Sequence, residues 1–196
     1  MSHKFSIKMP SFSHILVAAI TFDLLFCLAG INSATAQQDV AGSSGWYKTK
    51  WGMTAEEVSA TLGDSIIPLS QQDRKRFPDF EYTMSDFQIG KYSFEVYFAF
   101  ASVGLNKVMV RKKGQGEYYA CFLHLEDSLK KKYGSPSDVK DDDRKRDAQS
   151  HTREWLTQGS IIALNNVTLW IGGKPYETTN VIYSSRRTLD AAGDKL

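Results

Sequence analysis

Cys121 and His124 stand three residues apart in a stretch of helical periodicity, so a thiol and an imidazole can share one side of that helix. Such a pair serves as a nucleophile with its base, or as two ligands of a soft metal. Neither use is completed by its surroundings. A structural zinc site takes four ligands, and this spacing supplies two. A catalytic thiol has to be exposed and ionised, whereas Cys121 stands among Tyr119, Ala120 and Phe122, the company of a core thiol. The residues therefore predict a buried Cys121 and a surface or boundary His124. The alternative is a small hydrolase or redox protein using Cys121, or a carboxylate pair such as Asp141 and Glu154.

Three further stretches invite chemistry and are better read as structure. Asp141-Asp142-Asp143 is consecutive, where a calcium loop spaces its oxygens at alternate positions around a glycine. Arg144-Lys145-Arg146 follows at once, so the run is self-neutralising and Asp138 to Asp147 reads as a charged, solvated loop. Gly114-Gln115-Gly116 precedes a helix but lacks the lysine-serine ending of a phosphate loop, and Glu117 would repel an anion. Gly172-Gly173-Lys174-Pro175 reads as a turn. No residue set is assigned to catalysis, to a metal or to a cofactor. The remaining candidates are aromatic: Trp46, Tyr47, Trp51, Trp155 and Trp170 form a possible binding surface for a peptide, glycan or lipid, unless they are core and strand-face residues.

The elements that would carry these side chains follow from periodicity. In WGMTAEEVSATLG, Thr54 and Glu57 have capping-box spacing, Met53 and Val58 staple spacing, and Gly63 stands where a left-handed terminal residue is wanted. The segment SIIPLSQQDRKRFPDF, punctuated by Pro68 and Pro78, reads as irregular, with Arg74-Lys75-Arg76 a solvated basic cluster. A strand is expected around Phe80 to Gln88. The period then becomes two: Tyr92, Phe94, Val96, Phe98 and Phe100 share one face, and Leu105 to Lys112 follows as an antiparallel partner. A second helix, with Tyr118, Phe122, Leu125 and Leu129 in its apolar stripe, ends at Gly134 and Pro136 after three lysines that suit its dipole. Strands are expected over Thr152 to Thr157, Ser160 to Leu169 and Thr179 to Ser185. The order predicts an α+β fold of two helix-then-antiparallel-strand repeats, about 46–113 and 117–186, forming one sheet with helices packed on one face.

Lys4 and Lys8, the mostly apolar run Ile15 to Leu28, and Ala34-Thr35-Ala36 make residues 1–36 a secretory signal. The run is too short for a spanning helix, and Phe26 before Cys27 does not suit lipid attachment. The expectation is a periplasmic or secreted protein with no stable membrane anchor after cleavage. Residues 37–45 read as a flexible leader, 46–186 as a single α+β domain and 187–196 as a tail. Of 24 basic and 22 acidic residues, the signal holds Lys4, Lys8 and Asp23, so the mature chain carries 22 and 21. A balance of +1 gives no global field for nucleic acid. Only Cys121 remains, which excludes an intramolecular disulfide, and 160 residues suffice for one core.

Trp51-Gly52-Met53-Thr54 with Glu57-Val58 and Leu62-Gly63, the later Tyr133-Gly134-Ser135-Pro136, and the closing Ile182-Tyr183-Ser184-Ser185 resemble a group of small exported bacterial proteins of unknown function. The helix-plus-sheet order is also similar to the tandem architecture of the β-lactamase-inhibitor protein and of the small outer-membrane-assembly lipoprotein, although the lipid-bearing cysteine is missing. The resemblance implies a non-enzymatic module that presents a surface to an envelope protein or peptide, and it carries no functional residue with it.

Overall fold

A computed structural model describes residues 45–63, 66–145 and 147–186. The expected signal at 1–36, nearly all of the expected leader and the tail at 187–196 lie outside the described residues. Helix α1 (Ala55–Leu62) begins on the expected box: Thr54 Oγ1 accepts from the Glu57 N–H at 3.3 Å, and Glu57 Oε2 accepts from the Thr54 N–H at 2.8 Å. It buries Val58 completely. The chain continues through β1 (Ile66–Pro68), α2 (Gln71–Arg76), β2 (Tyr82–Ile89), β3 (Tyr92–Ala101) and β4 (Gly104–Lys112). It then forms α3 (Tyr118–Tyr133), β5 (Asp138–Lys145), β6 (Ala148–Leu156), β7 (Ser160–Ile171) and β8 (Lys174–Ser185).

All eight strands belong to one antiparallel sheet in the order β1-β2-β3-β4-β8-β7-β6-β5. The two strands that close each half of the chain, β4 and β8, pair at its centre, where Val110 faces Val181. Alternation sends Phe94, Val96 and Phe98 of β3, Val108 and Val110 of β4, Val181 of β8 and Ile162 and Leu164 of β7 to one side. There Phe122, Leu125 and Leu129 of α3, with Val58 of α1 and Trp46, cover them in a continuous core. The turn between β3 and β4 is pinned to the segment before α1: Leu105 donates its N–H to Met53 O at 2.7 Å and accepts from the Gly52 N–H at 2.9 Å.

The α+β class is the observed one, and three finer expectations are corrected. First, the halves are not two helix-then-strand repeats. The first reads helix, strand, helix, then three strands, because α2 follows a strand of three residues, Ile66–Pro68. Second, SIIPLSQQDRKRFPDF is largely ordered: Ser70 caps α2 by accepting from the Asp73 N–H, and Leu69, Phe77 and Phe80 pack on Tyr97, Ala99 and Met109 in a second, smaller cluster on the other side of the sheet. Helical cover is therefore not confined to one face. Third, Asp138 to Lys145 is a strand and not a loop. Its composition disfavours a strand, but pairing with β6 and ion pairs from it override that preference. As an edge strand, its charges also discourage pairing with other chains.

Candidate functional site

A cluster of ionisable side chains lies where α3 crosses the β5–β6 edge. Asp141 of β5 stands opposite His151 of β6, and alternation puts His151 and Arg153 on the side that meets α3. Arg153 donates from Nη1 to Asp141 Oδ1 at 2.6 Å, from Nη2 to Asp141 Oδ2 at 3.3 Å, and from Nε to Glu126 Oε1 of α3 at 3.1 Å. Its guanidinium also rests on Phe122, 5.3 Å from the ring centroid. Lys130 Nζ reaches Glu126 Oε1 at 2.7 Å. His151 Nδ1 lies 3.0 Å from Asp141 Oδ1 and Nε2 lies 3.6 Å from Asp143 Oδ1, with the ring 5.1 and 5.9 Å from those of Tyr119 and Phe122.

This cluster clamps the edge hairpin to the helix. Arg153, chiefly, holds the Asp141 carboxyl below the usual carboxylate range. Burial works to raise the Glu126 carboxyl, but Lys130 and Arg153 together bring it below its ordinary value. Carboxylates held ionised by permanent cations are poor proton acceptors near neutral pH. Glu154 falls on the opposite side of β6 from Arg153, so Asp141 and Glu154 do not form a carboxylate pair. Among the described residues, no group of three or more His, Cys, Asp and Glu side chains is arranged to hold a metal.

Cys121 is fully buried beneath α3, and burial pushes its thiol up to about 11. His124 is exposed on the same helix, over the β2–β3 turn, where its ring lies 5.6 Å from that of Tyr92. A Cβ at Gly90, which has φ +59°, would come within 2.9 Å of His124 Nε2. The thiol therefore belongs to the core and the imidazole to the surface. Glu117 before α3 makes no side-chain cap and instead pairs with Lys91 at 3.1 Å. Gly172 and Gly173 form the β7–β8 turn, both with positive φ, which a two-residue hairpin of this hand requires.

The five aromatic candidates do not make one surface. Trp46 and Trp155 are core residues, 5% and 2% exposed, and Trp155 Nε1 donates to Gly134 O at 2.9 Å. Trp51 is half-buried, its Nε1 donating to Ser160 Oγ at 2.9 Å, so it ties the α1 end of the chain to the start of β7. Trp170 is half-buried near the tip of the β7–β8 hairpin, where its backbone N–H donates to Asp147 O. Tyr47 is exposed, its ring tilted against Trp46 and edge-on to Phe87, each at 5.6 Å.

The side of the sheet away from α1 and α3 holds a groove of about 700 Å³ that sequence reasoning missed. One wall is Arg76 and Phe77 at the end of α2, the floor includes Met109 and Asn180, and the other wall is Val167, Leu169 and Tyr176 of the β7–β8 hairpin. Phe77 packs at a tilt against Tyr97, with ring centroids 4.7 Å apart, and burial, with help from Glu95, pushes the Tyr97 phenol up to about 12. The signal was present in β7, where Ile161, Ala163, Val167 and Leu169 make its second face nearly as apolar as the first.

No family model, curated protein or solved structure matches this chain.

The site is therefore defined by its own geometry. Leu169 is 42% and Tyr176 56% exposed beside a floor that is itself buried at Met109. This is a depression of mixed apolar and polar lining on the side of the sheet away from α1 and α3.

Proposed function

We propose that this chain is an exported, non-enzymatic interaction module of the bacterial envelope, and that it holds a protein or peptide partner on the half-open face of its sheet. The signal-like residues 1–36 support export, and the resemblance to small exported proteins supports a surface-presenting role. The observation that carries the reading is the groove between the end of α2 and the β7–β8 hairpin, with exposed Leu169 and Tyr176 on one wall. The burial and raised pKa of Cys121 weigh against the alternative of a thiol hydrolase or redox protein.

The test is affinity capture with cross-linking from envelope extract, comparing the wild-type protein with Leu169→Asp and Tyr176→Asp. Both positions are exposed, so the fold is expected to survive. A partner recovered by the wild type and lost from both variants supports the reading; equal recovery by all three contradicts it.

A further inference from the structure

The groove is chemically uneven, and the unevenness specifies what fits it. Its α2 wall is cationic: Arg74, Lys75 and Arg76 make up the last turn of that helix. The Arg76 and Arg111 guanidinium carbons lie 5.2 and 5.7 Å from the centroid of the Phe77 ring. Arg111 is engaged by Glu95 at 3.5 Å, whereas Arg76 has no carboxylate partner among the described residues. A guanidinium resting on a ring keeps its N–H donors for a carboxylate. The opposite wall is apolar at Val167, Leu169 and Tyr176, and only Glu177 on that rim is negative. In the floor, Asn180 accepts from Asn165 Nδ2 at 3.3 Å, which places a side-chain amide where a peptide backbone would run.

Resting on the reading that this face binds a partner, we propose that the occupant is a peptide segment of the partner in which carboxylate side chains adjoin a short apolar run. A carboxylate pairs with Arg76, and the apolar side chains lie on Leu169, Tyr176 and Met109. The lining sets Arg76 and Glu177 beside Leu169 and Tyr176, which suits a peptide carrying both charged and apolar side chains. An acyl chain would require apolar walls on all sides to bury most of its surface. Charge complementarity at Arg76 sets the direction of the peptide, and the apolar wall supplies most of the contact area.

The probe is a fluorescent synthetic peptide of aspartates interleaved with leucine and phenylalanine, titrated into the purified protein beside a counterpart with lysine for aspartate and beside phosphatidylglycerol vesicles. The expected result is saturable, salt-sensitive binding of the aspartate peptide. Binding falls at least about tenfold in Arg76→Glu, a loss worth one charge-assisted pair, while circular dichroism is unchanged. The lysine peptide gains in Arg76→Glu what the aspartate peptide loses. Equal binding of the two peptides to the wild type, an unaffected Arg76→Glu, or uptake of the vesicles without the peptide would each overturn the proposal. If capture of a partner still depends on Leu169 and Tyr176 while the aspartate peptide fails, the acidic class is wrong and the binding face stands. If capture does not depend on those residues, the face itself is wrong.

Discussion

Arg153 grips both carboxylate oxygens of Asp141, at 2.6 and 3.3 Å, and with its remaining Nε–H reaches Glu126 on α3 at 3.1 Å. One side chain thereby joins the edge strand, its neighbour and the long helix. Arg153→Met keeps the stem on Phe122 and removes every charged hydrogen bond. It is expected to destabilise the protein by about 2 kcal/mol at pH 7, since Glu126 retains Lys130. Chemical denaturation of the two proteins measures the difference.

The pH dependence of that difference has a definite sign. Asp141 and Glu126 both have folded pKa values below their ordinary ones, so their stabilisation is complete above the unfolded values near 4 and fades as pH falls through the folded values. Asp141 is 41% exposed at its side chain, so solvent screens part of its share. The penalty of Arg153→Met should accordingly shrink as the pH falls below about 4. Denaturation midpoints on either side of that pH test this; a penalty that grew on acidification would contradict the assigned ion pairs.

Thr54→Ala removes half of the box that starts α1, at a cost of about 1 kcal/mol without loss of the fold. The measurement is the denaturation midpoint, and an unchanged value would mean that α1 contributes nothing to cooperative stability.

Cys121 should resist thiol reagents at neutral pH until the protein unfolds, because the thiol is buried and its pKa is raised to about 11. Cys121→Ala should cost about 1 kcal/mol and leave partner capture intact. Labelling kinetics with and without denaturant provide the check. Fast labelling of the folded protein would restore the redox alternative.

Gly104 permits a close backbone approach that a side chain would block. With φ at +90°, a Cβ there would lie 2.3 Å from Gly52 O, and the obstacle is backbone. Gly104→Ala should therefore lower the thermal midpoint by more than Thr54→Ala, with a cost of about 2 kcal/mol or above.

What the sequence disclosed was local. Thr54, Glu57 and Gly63 announce α1 because capping needs only neighbouring atoms, and Tyr92 to Phe100 announces β3 because a half-buried strand writes its period in adjacent letters. Cys121 was placed by its helical stripe. Long-range relations left no such trace. Asp138 to Lys145 pairs as a strand with β6, and Arg153 of that strand neutralises Asp141. The short helix α2 holds only six polar residues, Gln71–Arg76, and is anchored by Leu69, Phe77 and Phe80 on either side of it. The groove brings together Arg76, Met109 and Tyr176, which no spacing rule connects. The aromatic residues chosen for a binding surface were misleading for the same reason: tryptophans serve cores well, and Trp46 and Trp155 do so here.

The central claim, that the half-open face of the sheet binds a partner, is tested most directly by photo-cross-linking in intact cells. A photoreactive residue is placed in turn at Tyr176, in the groove, and at Leu123, on the outer side of α3; these positions are 56% and 47% exposed. The account predicts a discrete cross-linked species from position 176, absent from position 123 and lost when Leu169→Asp is added. The same species from position 123, or none from position 176, would contradict it.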